Sequence, residues 1–99
     1  MDKIEAIEKL KNYKELLSKK MSFDALILYG SYANGKYNID SDIDVAVVVD
    51  EMQGDYFETR PLLWQVSRDV DDRIEPHIFE KKHDESGFLE EIMNSGIVI

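Results

Sequence analysis

Two aspartates, Asp42 and Asp44, stand two residues apart where a polar loop gives way to the apolar run Val45 to Val49. Side chains alternate with period two in an extended chain, so both carboxylates leave the same face of a strand that starts there. Two carboxylates so placed suit a divalent cation. Ten residues separate the pair from Gly30 and Ser31, which end a shorter apolar run, Ala25 to Tyr29. A Gly-Ser turn passing into a short helical start directs backbone N–H groups and a hydroxyl outward, a natural cradle for phosphate. Taken singly, Gly-Ser is a common turn, and an aspartate at a strand start is often a solvated cap. The combined pattern arises by chance only about one time in a thousand in a chain this short at average residue usage.

The elements that must position these groups follow from periodicity. From Asp2 to about Lys20, Ile4, Ile7, Leu10, Tyr13 and Leu17 recur at helical spacing, with Glu5/Lys9, Lys11/Glu15 and Glu15/Lys19 on the opposite face. Asp24 to Tyr29 forms the first strand, a turn and short helix run from Ser31 to Gly35, and a loop ends at Ser41. The second strand, Asp42 to Val49, carries Ile43, Val45, Val47 and Val49 on one face and Asp42, Asp44, Ala46 and Val48 on the other. Both faces are apolar beyond the first turn, which places this strand centrally in its sheet.

Asp50 to Tyr56 reads as a loop, after which Pro61 fits the first turn of a helix that buries Leu62, Leu63, Val66 and Val70, with Trp64 expected to cover the core. In the third strand, Arg73 to Phe79, alternation puts Arg73, Glu75, His77 and Phe79 on one face, and Pro76 marks an edge or a bulge. Asp84 or Ser86 caps a last helix with the stripe Phe88, Leu89, Ile92 and Met93. Gly96 ends it, and Ile97 to Ile99 is an apolar tail. The expected order is αβαβαβα, an α/β (α+β) chain.

Ninety-nine residues without an internal repeat or a low-complexity linker make a single domain, 1–99. The chain has no cysteine, which excludes disulfides and cysteine-ligated zinc, and no apolar stretch reaches membrane-spanning length. The first twenty residues are charged throughout and lack the apolar centre of a secretory signal, so a cytoplasmic location is the default. Twelve basic against 21 acidic residues give a net charge of -9, which repels a nucleic-acid backbone and argues against autonomous nucleic-acid binding.

Gly30-Ser31, ten residues, then Asp42-x-Asp44 leading into an apolar strand resembles the nucleotidyltransferase domain of the DNA polymerase beta superfamily. Small prokaryotic members follow Gly-Ser with an aromatic residue and Ala-Arg-Gly. Here Tyr32, Ala33, Asn34 and Gly35 stand at those places, and Asn34 is the departure. The resemblance implies a mixed sheet flanked by helices, two Mg²⁺ ions, ATP as substrate, and a third acid on the strand beside the aspartates. Two-metal transfer requires a cage of charge around ions about 3.5 to 4 Å apart. Glu75, within Arg73-Ile74-Glu75-Pro76-His77-Ile78, is the candidate third acid. Asp71 and Asp72 compete, but they precede the apolar alternation. His77 and His83 are set aside, since magnesium prefers oxygen ligands.

By the same resemblance, Gly30 and Ser31 hold the departing phosphates, Asp42, Asp44 and Glu75 bind metal, and Glu75 orients or deprotonates the attacking hydroxyl. A member this short is similar to the antitoxin of HEPN/MNT toxin-antitoxin pairs, which transfers AMP to a tyrosine of its helical HEPN partner. The implied alternatives are an antitoxin that only occludes its partner, and nucleotidyl transfer to a small molecule through a homo-oligomer or another subunit.

Overall fold

The computed structural model describes residues 1–52 and 54–99. Its elements are α1 (Lys3–Ser18), β1 (Ala25–Tyr29), α2 (Ser31–Asn34), β2 (Ile43–Val49), α3 (Tyr56–Arg68), β3 (Ile74–Glu80), α4 (Phe88–Ser95) and β4 (Ile97–Val98), with a 3-10 turn at Lys81–His83. One mixed sheet runs in the order β3-β2-β1-β4. β1 is antiparallel to β2 and to β4, whereas β2 and β3 are parallel and joined through the crossover helix α3. The expected central place of β2 and the edge place of the Pro76 strand are both found.

Alternation along the strands divides the core. Leu26, Leu28, Val45, Val47 and Ile74 face α1 and α3, where Leu10, Tyr13, Leu17, Leu63 and Val66 meet them. Ile27, Ala46 and Val48 face the other way and are covered by Leu89 and Ile92 of α4. Tyr13 fastens the two helices of the first layer, its buried hydroxyl donating to the Leu63 carbonyl at 3.0 Å. The phenol is pushed up from its ordinary range by burial.

Capping sets the helix limits. Asp2 Oδ1 accepts from the Glu5 N–H at 2.8 Å, Asp55 Oδ1 accepts from Phe57 at 2.8 Å, and Asp84 accepts from Leu89 and Glu90 at 2.9 and 3.0 Å. The expected cap at Asp84 is therefore used, and the Ser86 hydroxyl accepts from the Phe88 N–H as well.

Four expectations need correction. α3 begins at Tyr56 because Asp55 supplies its cap, so Pro61 lies inside the helix and forfeits one backbone hydrogen bond there. Gln53, in the expected loop, lies outside the described residues. Ile4 is 73% exposed, and Ala6 takes its place in the stripe with Leu10, Tyr13 and Leu17. Phe88 and Met93 are about half exposed, leaving Leu89 and Ile92 as the buried positions of α4. The apolar tail is a fourth strand: Ile97 pairs with Leu28, Val98 pairs with Ile27, and the Ile99 N–H donates to Leu26 O at 2.9 Å. Two residues are too few to show a period, and β1 offered an unpaired edge for them. Gly96 permits this return, since a Cβ there would stand 2.5 Å from Ile27 Cγ2 and 2.8 Å from Leu28 O.

Asp71 ties α1 to the start of β3. It pairs with the Lys9 ammonium and accepts from the Arg73 N–H at 2.8 Å, with the guanidinium at 3.3 Å. Burial alone would raise its carboxyl, but Lys9 and Arg73 outweigh that and hold it down at about 2. A folded pKa below the ordinary 3.8 means stability that is present above pH 3.8 and lost as pH falls toward 2. The side chain is 9% exposed, and the shift corresponds to about 2 kcal/mol. Asp71→Asn is expected to unfold at lower urea than the parent at pH 7, with the gap closing by about pH 2, as urea titrations at both values would show.

Candidate active site

The register of the sheet builds the site. Asp44 lies opposite Glu75 on β3 and opposite Tyr29 on β1, so one row across three strands carries a phenol and two carboxyls on a single face. That face is the one α4 covers farther along, and α4 leaves this end of it open. Asp42 precedes β2 and is exposed, whereas Asp44 and Glu75 are half-buried. The Ile43 N–H donates to Arg73 O at 2.7 Å, which starts the parallel ladder immediately before the two acids come level.

Gly30 follows Tyr29 with φ 74 and ψ -149, and this backbone turns the chain into α2 beside the carboxylates. A Cβ at Gly30 would stand 2.5 Å from Asp44 Oδ2. The Gly30 carbonyl accepts from Ala33 and Asn34 at 3.1 and 3.2 Å, while Ser31 is half-buried at the first position of the helix. Tyr32 is fully buried under this turn and stacks on Tyr37 with ring centroids 4.5 Å apart, which anchors the turn from below. Asn34 is spent locally, its Oδ1 accepting from the Lys36 N–H at 3.0 Å.

The electrostatics are those of a crowded anion cluster. Asp44 is raised above the usual aspartate range by burial and then by Asp42, with His77 and a hydrogen bond from Glu75 acting against the shift. Glu75 is raised by burial, by the charges of Asp42 and Asp44, and by side-chain hydrogen bonds to both. Both shifts disfavour charge on neighbouring carboxyls held this close. The Tyr29 hydroxyl is pushed up to about 12, by burial first and then by Asp44 and Glu75. Such a cluster is short of positive charge. A divalent cation fits it on chemical grounds, because it would satisfy oxygens that repel one another in the metal-free protein.

The structure therefore brings together Asp42, Asp44 and Glu75 and sets Gly30 against them. Asp71 is committed to Lys9 and Arg73 instead, and Asp72 is exposed. Two neighbours stand beside these acids that the sequence reading does not assign to the site. One is Tyr29, which stood in view as the last strand residue before the glycine. The other is His77, whose imidazole comes within 4.8 Å of ligand oxygens of both Asp44 and Glu75. The signal for His77 was the period of two from Glu75. His83 sits elsewhere, near Glu51 and Glu80 at 3.6 and 3.8 Å.

Trp64, expected over the core, is half-buried and meets His77 edge-on with centroids 6.5 Å apart. On the other flank Phe79 and Phe88 stack at 5.7 Å, and both meet Tyr29 edge-on at 6.2 Å. A groove of about 440 Å³ runs between Tyr29, His77, Phe79 and Phe88. A larger cavity of about 590 Å³ opens near Phe23, Val49, Met52 and Leu62, at the far end of β2, and its walls include none of the three acids. The smaller groove borders Tyr29 and His77, the neighbours of Asp44 and Glu75. Among the described residues, no helix is long and apolar enough to cross a membrane.

Comparison with known proteins agrees with this geometry. The sequence model of the family described as "Polymerase beta, Nucleotidyltransferase" matches residues 11–99. A relative from Methanocaldococcus jannaschii, described as "Putative protein adenylyltransferase", is 36% identical over 101 residues, covering 97% of this chain and 100% of the relative. The crystal structure of "a putative nucleotidyltransferase" from Sulfolobus solfataricus superposes with a TM-score of 0.69 over 97% of this chain and 80% of that one, at 18% identity, which shows the shared fold.

Proposed function

The chain belongs to the polymerase beta nucleotidyltransferase family, and from that premise we propose that it transfers AMP from ATP to a hydroxyl of a protein partner. The observation that carries the proposal is the convergence of Asp42, Asp44 and Glu75 across the parallel pair β2 and β3, with Gly30 closed against Asp44 Oδ2. The description of the relative from Methanocaldococcus jannaschii favours a protein acceptor over a small molecule.

Asp42, Asp44 and Glu75 would hold Mg²⁺, which when bound supplies positive charge to the phosphates and to the attacking oxygen. The Gly30–Ser31 turn would hold the departing phosphates. Glu75 would orient the acceptor hydroxyl and take its proton as the oxygen bonds to the α-phosphorus. The bond from the α-phosphorus to its bridging oxygen then breaks, and pyrophosphate leaves with that electron pair. The Tyr29 phenol stays protonated at neutral pH, raised as it is to about 12, and remains available as a hydrogen-bond donor beside Asp44.

The groove beside Tyr29 and His77 is open to solvent, which leaves room for an acceptor presented by another molecule. We assign that role to a helical protein of the HEPN type, which would offer a tyrosine to the site and a basic surface to this acidic chain. Two Mg²⁺ ions, ATP as donor and a cytoplasmic setting complete the reading.

The test incubates the protein with Mg²⁺, the product of the neighbouring gene, and ATP labelled either at the α- or at the γ-phosphate. α-Label on the partner with γ-label released in pyrophosphate supports the reading, and labelling from neither overturns it. A binding-only antitoxin is the second reading. Asn34 favours it, because its side chain is engaged within its own turn at the place where the Ala-Arg-Gly pattern of the resemblance has an arginine. Tight complex formation without any label transfer would decide for that reading.

A further inference from the structure

We infer that His77 supplies a nitrogen ligand to the divalent cation held by Asp44 and Glu75, so that this site takes Mn²⁺ in preference to Mg²⁺. The inference rests on the carboxylate metal site proposed above and adds a donor that three acids alone would not provide.

Glu75 and His77 are two apart on β3 and therefore share a face. Asp44 is level with Glu75, and the residue level with His77 is Ala46. One ligand atom from each of Asp44, Glu75 and His77 lies within 4.8 Å of the other two. Three donors around one ion, each at about 2.1 Å, stand about 3 to 3.6 Å apart. The remaining distance, between one and two ångströms by that comparison, is within reach of side-chain rotation, since His77 is exposed.

The donor set decides the metal. Mg²⁺ demands oxygen in a near-ideal octahedron and releases its water reluctantly. A mixed set of imidazole and carboxylate suits first-row transition ions, and Mn²⁺ accepts both donor types.

The experiment titrates Mn²⁺, and separately Mg²⁺, into the purified protein by calorimetry, and records the electron spin echo of bound Mn²⁺ for nitrogen modulation. His77→Gln and His83→Gln are compared with the parent, these being the two histidines of the chain. Expected is nitrogen modulation in the parent and in His83→Gln, its loss in His77→Gln, and an Mn²⁺ affinity about tenfold lower in that variant. Mg²⁺ affinity is expected to stay unchanged. Mn²⁺ bound without nitrogen modulation in the parent, or modulation that survives His77→Gln, would overturn the ligation by His77 and leave the carboxylate site standing. A parent protein that binds neither ion would overturn both.

Discussion

Asp44→Asn is expected to reduce nucleotidyl transfer by roughly three orders of magnitude while making the metal-free protein more stable at neutral pH. The loss follows from removing the acid level with Glu75, since charge supplied by a bound metal is worth several kcal/mol to the transition state. The gain in stability follows from the sign of the shift. The folded protein holds the Asp44 proton more tightly than the unfolded chain does, because burial and Asp42 both disfavour the charge. Its contribution to stability is therefore full below the ordinary value of 3.8 and is lost as pH rises through the raised folded value. Asparagine carries no charge to repel. Thermal unfolding of parent and variant at pH 7 and at about pH 3.5 would show the advantage of the variant shrinking in acid. An unfolded Asp44→Asn would identify the aspartate as a structural group.

Gly30→Ala is expected to be nearly as damaging, for a geometric reason. The backbone at φ 74 and ψ -149 lies in a region that residues with a side chain enter at a cost of about 1–3 kcal/mol. The added methyl would also meet Asp44 Oδ2 at 2.5 Å, so either the turn or the carboxylate must move. Displacement of a reacting group by about 1 Å costs about a hundredfold in rate. Gly35→Ala separates the two effects, since Gly35 has φ 80 but nothing within 4 Å of the place its methyl would take. It should lose stability and keep most of its activity. Equal activity losses in the two variants would show that backbone strain, and not contact with Asp44, is what matters at Gly30.

Much of this site was legible because its chemistry is periodic. The spacing of two between Asp42 and Asp44 declared their common face, and Glu75 could be chosen over Asp71 from the alternation that begins at Ile74. What the sequence could not state was register. That Asp44 stands level with Glu75 and with Tyr29 is fixed by pairing between strands remote in the chain, and local propensity carries no record of it. The period of two puts His77 on the face of Glu75, and only the preference of magnesium for oxygen argues against it as a ligand. β4 is too short to show a period, and Ile4, linked to Ile7 by a spacing of three, lies about 150° around the helix from the buried stripe of Ala6, Leu10, Tyr13 and Leu17.

The chain contains a single tryptophan, and Trp64 rests its edge against the His77 ring. Indole emission responds to the nearest polar and ionisable groups, so the protein carries an intrinsic optical reporter beside His77. Any occupant that draws the imidazole toward Asp44 and Glu75 changes the surroundings of the indole. Occupancy of this site can accordingly be followed in real time by fluorescence, on the unmodified protein and without a labelled nucleotide.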